Sequence, residues 1–227
     1  MDFGSGTALP FFFVDVFADS PLNGNPVTLV PDAEGLSVAQ MRAVAREFNR
    51  SETTFLLAAR LPGATWRLRS FTPSGAEVLG AGHNALGAWL WLAAANRISS
   101  AETDFAQEIG EQVLPVRLIR EPGRPVTVAM EQSPPRFGGS VTDRGGLAAA
   151  LGRSEGDLAP EPAQVVDTGA GPLTALLVRT GKTDPGTSVI EQGHALGRPS
   201  RIEVGVTGQR VTVSGSGLVV AEGTLYF

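Results

Sequence analysis

The sequence predicts an α+β fold of two related lobes, each a curved sheet wrapped around one central apolar helix. Three observations lead there. The stretch "HNALGAWLWLAAAN" (83–96) has helical composition but no polar face, and such a helix is stable only when other structure surrounds it. Short runs rich in β-branched and aromatic residues recur between Gly- and Pro-containing turns, the pattern of strands. Finally, "LGAGHNALGAWL" (79–90) is echoed by "DTGAGPLTALLV" (167–178): Gly-Ala-Gly opens an apolar helical stretch in each half of the chain.

In chain order, "FFFVDVFA" (11–18) reads as a strand, the turn-rich "DSPLNGNP" follows, and "VTLV" (27–30) is a second strand. Ser37 with Gln40 three residues on forms a capping box. Val38, Met41, Val44, Ala45 and Phe48 repeat at helical spacing behind it. Asn49 suits a left-handed residue ending that helix. "SETTFLLAA" and "WRLRSFTP" (66–73) read as strands, and the apolar helix begins near His83. Strands are expected at 113–120 and 125–131, a helix at 142–152, and strands at 187–191, 200–206, 209–213 and 217–226. The Pro/Gly cluster "SPPRFGG" marks the domain junction, giving a first lobe of 1–132 and a second of 133–227. The second lobe contains the turn Gly169-Ala170-Gly171, and its last strand is free to return to the first lobe.

Composition removes several kinds of chemistry. Cysteine is absent from the 227 residues, which excludes disulfides, thiolate metal sites and cysteine nucleophiles. Two histidines, His83 and His194, lie far apart, so no histidine-rich metal cage is expected. A net charge of −5 and the lack of a basic stripe argue against nucleic acid. The first twenty residues have an apolar patch without a basic lead, and Asp15 interrupts it. Neither a signal peptide nor a membrane span is expected, and the cytoplasm is the default location. No Gly-x-Gly-x-x-Gly follows a strand with an acidic residue about 20 positions on, so dinucleotide binding is not indicated.

Glu52, in "NRSETTFLL", stands between a helix end and an apolar strand. It is either a surface strand residue or a partly desolvated carboxylate, whose raised proton affinity would suit proton transfer. His83 opens the apolar helix; it either caps the turn or donates to a ligand, and a helix N-terminus favours its neutral form. His194, among turn residues, reads as structural. Asp167 precedes the second Gly-Ala-Gly as a second acid or a helix cap. The glycines either permit close packing or bare the N–H groups of two helix ends, which together would bind a carboxylate.

Four stretches, "VDVFADSPLNGNPVTLV", "AREFNRSETTFL", "GAGHNALGA" and "EQGHALGRPSRIEV", resemble the phenazine-biosynthesis isomerase (PhzF-like) family, which shares the diaminopimelate epimerase fold. The resemblance implies two pseudo-symmetric lobes, mostly antiparallel sheets, and a site between them. It also implies a cofactor-independent isomerase, a small carboxylated and cyclic substrate, and a homodimer. In that branch the Glu matching Glu52 moves a proton between carbons of a dihydro-hydroxyanthranilate ring. Ser51 and His83 would line the site, with Gly82 and Asn84 at the helix start. Ala170 and Gly171 would bind substrate in the second turn, with Asp167 as a further acid. The chain departs from the family in three places. Asn84 replaces the proline of Gly-His-Pro; the second motif is cut to "DTGAGPL", so that Asp167 aligns only with a gap after it; and the second lobe is several dozen residues short near 165–170. The competing expectation is a non-catalytic ligand-binding or scaffold member with an incomplete second lobe.

Overall fold

The computed structural model describes residues 8–132, 134–160, 163–167, 177–178 and 181–226. In chain order the elements are β1 (Ala8–Val16), β2 (Asn25–Val30), α1 (Val38–Phe48), β3 (Thr53–Ala58), β4 (Trp66–Phe71), β5 (Glu77–Val78) and α2 (His83–Ala94). Then come β6 (Asp104–Ile109), β7 (Gln112–Ile119), β8 (Thr127–Gln132), β9 (Arg136–Ser140), α3 (Arg144–Ala150), β10 (Gln164–Asp167), β11 (Gly186–Gln192), β12 (Ser200–Thr207), β13 (Arg210–Gly215) and β14 (Gly217–Tyr226).

The architecture is mixed α+β, with few helices and one large, mostly antiparallel sheet. Twelve strands run β11-β12-β13-β8-β7-β6-β4-β3-β2-β1-β14, with β5 beside β4; β9 and β10 form a separate pair. Only β2–β3 and β4–β6 are parallel within the large sheet. The ladder does not break at the expected junction, because β8 of the first half pairs with β13 of the second. At the far edge β14 lies against β1. The second central helix expected after Gly171 falls outside the described residues, apart from 177–178.

Helix α2 explains the curvature. Residues Asn84 to Leu92 are buried without interruption, so apolar surface must meet the helix on every side. It packs against β1, β2, β3, β8 and β14, strands far apart in the sheet order, and the sheet must therefore curl around it. Leu29, Leu56, Leu68, Trp89, Leu118 and Met130 belong to this core. Helix α1 lies on the other face, where Met41, Val44 and Ala45 meet Phe55, Leu57 and Phe71. The capping box at Ser37 and Gln40 closes its start, and Asn49 closes its end at φ 49°, ψ 36°, as the spacing predicted.

Buried on both faces, β3 reads as a continuous apolar run, and its alternation sorts the two sides. Phe55 and Leu57 face α1, whereas Leu56 joins the α2 core. Strand β6 was not anticipated because its polar residues hid it. Gln107 and Glu108 are fully buried but satisfied: Trp89 Nε1 donates to Gln107 Oε1 at 2.8 Å, and the Arg60 and Leu61 amides donate to Glu108 at 2.6 and 3.0 Å.

Close packing of α2 on β1 and β2 rests on one small residue. A Cβ at Gly87 would sit 2.5 Å from Val27 Cγ1 and 3.0 Å from Val16 Cγ2. In an exposed helix Gly→Ala stabilises by about 1 kcal/mol; here overpacking, which costs about 1–3 kcal/mol, outweighs it. Gly87→Ala is therefore expected to lower the urea midpoint at unchanged slope. A midpoint at or above that of the parent would contradict this packing.

Candidate active site

Period-two alternation places Glu52 on the side of Thr54 and Leu56, facing α2. Thr54 Oγ1 donates to the carbonyl of Asn84 at 3.4 Å, and Thr28 N donates to Glu52 O at 3.2 Å. The start of β3 thus abuts the N-terminus of α2. There His83, the first residue of the helix, brings Nδ1 to 3.7 Å from Glu52 Oε2. Both side chains are largely enclosed, 14% exposed for His83 and 17% for Glu52. Ser51 completes the group: its hydroxyl lies 3.2 Å from His83 Nε2 and 3.2 Å from the carbonyl oxygen of Pro26.

One arrangement of protons satisfies both contacts of Ser51 within the protein. Ser51 has one hydrogen, and the Pro26 carbonyl can only accept. Both contacts are satisfied at once when Ser51 donates to Pro26 and His83 Nε2–H donates to Ser51. Burial lowers the His83 pKa to about 4, so the ring is neutral near pH 7, and in this arrangement Nδ1 is bare. That bare nitrogen faces Glu52 Oε2, a buried atom without a hydrogen bond. Burial also raises the Glu52 pKa above its ordinary value. A 3.7 Å gap is too long for a hydrogen bond, so neither group stabilises the other's charge, and desolvation dominates both.

The glycine loop before α2 is held by Asn84, which is 2% exposed. Its Oδ1 accepts from Gly82 N at 2.8 Å, and its Nδ2 donates to Ser70 Oγ at 3.0 Å and to Gly80 O at 3.1 Å. Gln132 Nε2 adds a bond to Ala81 O at 3.0 Å. The Asn84 carboxamide and the Gly82 amide, both expected to face substrate, are thus occupied within the protein. The amides of His83, Asn84 and Ala85 precede the first helical bond, from Leu86 N to Gly82 O. They form the anion-attracting end of α2.

The structure therefore brings together Ser51, Glu52, Gly82, His83 and Asn84. Asp167 ends β10, opposite Arg136 in the β9–β10 pair; its side chain lies outside the described residues, as do Ala170 and Gly171. Pro26, Ser70 and Gln132 were missed by sequence reasoning. Ser70 had a signal, a small polar residue in the alternating strand "WRLRSF". The backbone carbonyl of Pro26 had none. Phe71 is core, whereas Trp66 lines a separate groove with Asp32 and Arg97. Among the described residues no group of three or more His, Asp or Glu side chains could hold a metal. None of the helices among those residues is long and apolar enough to cross a membrane.

A partly enclosed acid beside a neutral imidazole, at the amide-rich start of a wrapped helix, is a group that can take up and release a proton. The chain belongs to the phenazine biosynthesis-like protein family (PhzC-PhzF), which it matches over residues 14–177. It is 38% identical over 127 residues to the trans-2,3-dihydro-3-hydroxyanthranilate isomerase of Pseudomonas chlororaphis, an alignment covering 56% of this chain and 44% of that protein. The chain thus spans less than half the length of such a curated relative. Among solved structures, a predicted epimerase from Pseudomonas aeruginosa superposes with a TM-score of 0.85 at 26% identity, covering 96% of this chain and 99% of that one. A PhzF-family phenazine biosynthesis protein from Bacillus anthracis gives 0.83 at 18% identity, covering 97% and 100%.

The two opposed shifts have opposite consequences for stability. Folded Glu52 binds its proton more tightly than the unfolded chain does, so its contribution is present at low pH and is lost as pH rises through the raised value. Glu52→Gln is thus expected to raise the thermal midpoint at pH 7–8, with the gain vanishing below pH 4.5. His83 behaves conversely: below pH 6.5 the unfolded ring takes a proton that the folded ring refuses until about pH 4. In the Glu52→Gln background, adding His83→Asn should remove a stability loss of about 3 kcal/mol between pH 6.5 and 4. Parallel pH–stability curves with and without His83 would refute its neutral burial.

Proposed function

We propose that this protein is a cofactor-independent isomerase moving a proton between carbons of a small, cyclic, carboxylated substrate of the dihydro-hydroxyanthranilate kind. The observation that supports this most directly is Glu52, a half-buried carboxylate whose buried Oε2 has no hydrogen-bond donor and faces a neutral imidazole. In its ionised form Glu52 takes a proton from one ring carbon, and the electron pair of the broken C–H bond spreads into the conjugated ring. The resulting carboxylic acid then returns the proton to a second carbon, and the carboxylate is regenerated.

With both ring nitrogens of His83 directed within the protein, its role is to stand beside Glu52 as a neutral acceptor, taking a hydrogen bond from the protonated acid when the carboxyl swings across the 3.7 Å gap. The amides opening α2 would hold the substrate carboxylate. Asp167, Ala170 and Gly171 would complete the site from the second half. The proposal extends, through the family, to a cytoplasmic homodimer.

General acid–base transfer typically contributes about 10²–10⁴ in rate. Glu52→Gln should therefore reduce deuterium uptake from D₂O into trans-2,3-dihydro-3-hydroxyanthranilate by about that factor, with ligand affinity little changed. A Gln variant exchanging at the parent rate would exclude Glu52 as the shuttle. The second reading, a ligand-binding member without catalysis, draws on the shortened "DTGAGPL" motif. It predicts that the parent protein binds the compound and exchanges nothing.

A further inference from the structure

The cluster of Ser51, Glu52 and His83 is built from one half of the chain, but its anchor is held from the other. Arg198 lies in the turn between β11 and β12, a tightly closed loop. Gly193 there has φ 84°, and a Cβ on it would fall 2.2 Å from the carbonyl oxygen of Arg198. Leu196 N and Arg198 N both donate back to Gly193 O, at 3.0 and 3.1 Å. From this platform the guanidinium reaches into the β1–β2 loop. Its Nη2 donates to Asp15 Oδ1 at 2.7 Å and to Asn23 O at 2.9 Å, and its Nε donates to Gly24 O at 3.1 Å.

Asp15 is 1% exposed, and its second oxygen accepts from Leu22 N at 2.7 Å. The amide of Gly24 returns a bond to Pro199 O at 2.9 Å, and Arg201 N donates to Phe17 O at 2.9 Å. Gly24, at φ 67°, has no room for a Cβ, which would fall 2.2 Å from Val16 O. Two residues on comes Pro26, and Asp15 is its ladder partner across β1 and β2. Asp15 thus pairs with Arg198 by its side chain and with Pro26 along the strand.

We propose that Arg198 is a positioning residue for Glu52: by clasping Asp15, Asn23 and Gly24 it fixes the Pro26 carbonyl, which takes the Ser51 proton and keeps His83 in its Nε2–H tautomer. The bare Nδ1 then faces Glu52. If the loop shifts and Pro26 no longer accepts, Ser51 can donate to Nε2 instead. The ring then holds its hydrogen on Nδ1, against the Glu52 carboxylate, and cannot accept from the protonated acid. A guanidinium suits this place because its Nε and Nη2 donors, fixed in one plane, serve three separate acceptors around one cation. This rests on the Glu52 reading above for its catalytic consequence, though not for its structural one.

The test reads the tautomer directly. Imidazole ¹⁵N shifts at pH 7 are measured in a His194→Gln background, which leaves His83 as the one remaining histidine of the two in the sequence. The parent should show Nε2–H, and Arg198→Lys, which keeps the charge but loses the fork, should gain Nδ1–H signal. The neutral pair Asp15→Asn with Arg198→Gln should do the same without stranding a buried charge, and Ser51→Ala should release the ring equally. Exchange into the carboxylated substrate should fall roughly 10- to 100-fold in Arg198→Lys, with KM within about twofold on the positioning argument. A parent showing Nδ1–H, or a folded Arg198 variant with an unchanged Nε2–H pattern, overturns the proposal. Tautomer changes as expected with no exchange in any variant or parent would leave Arg198 in its role and remove the isomerase reading instead.

Discussion

The constraint from which the rest follows is that α2 has no side to show to water. Fully burying a large apolar side chain is worth about 1.5–3 kcal/mol, and Leu86, Trp89 and Leu92 are each at 0% exposure. Only a sheet long enough to curl around the helix can supply that contact, which explains why β8 and β14, remote in strand order, both touch it. Wrapping the barrel of the helix leaves its ends as the places where polar groups can gather. At the N-terminal end unpaired amides and their partial positive charge are unavoidable. The site is therefore where the architecture has polarity to spare.

Two fully buried carboxylates, Glu108 and Asp15, show what is unusual about the half-buried Glu52. Burial pushes Glu108 up, but the amides of Arg60 and Leu61, the Arg60 guanidinium and the charge of Arg67 outweigh it and hold the group below its usual value. Asp15 has an arginine and an amide. Glu52 receives neither at Oε2, and its nearest partner is an imidazole pushed the other way. An enclosed charge without a partner is costly, and at Glu52 that cost appears as a raised proton affinity. A carboxyl that changes charge easily is what proton transfer to and from carbon requires.

Much of this was legible in the sequence because it is local. The capping box at Ser37, the left-handed Asn49 and the apolar run of α2 are all decided by residues within a few positions of one another. The nearness of Glu52 to His83 was open to view only through the family resemblance, because nothing local says that β3 lies beside α2. What escaped notice was long-range. Strand β6 looked too polar to be central until Trp89 and Arg60 were seen to satisfy it. The side chain of Asn84 braces the loop Gly80–Gly82 against Ser70 of β4, a task its place at a helix start did not announce. The continuous sheet, too, depends on β8 meeting β13 across a Pro/Gly cluster that reads as a boundary.

Asp15 shows how a local oddity can signal a distant partner. In the sequence it only interrupts an apolar strand, a place where a charge is hard to justify. Its burial demands a cation and several donors, and no basic residue lies within the β1–β2 hairpin (Ala8–Val30) to supply them. Arg198, 183 positions away, does so, and the same guanidinium gathers the carbonyls that precede Pro26. The cost of desolvating Asp15 is offset by the donors of Arg198 and Leu22, so the geometry of the loop is tightly specified. A proton-transfer group needs the same tight specification, since an imidazole with the wrong tautomer is no partner for an acid. Here, as at the β8–β13 and β1–β14 ladders, the two halves of the chain are joined, and at this junction the join is made by a side chain.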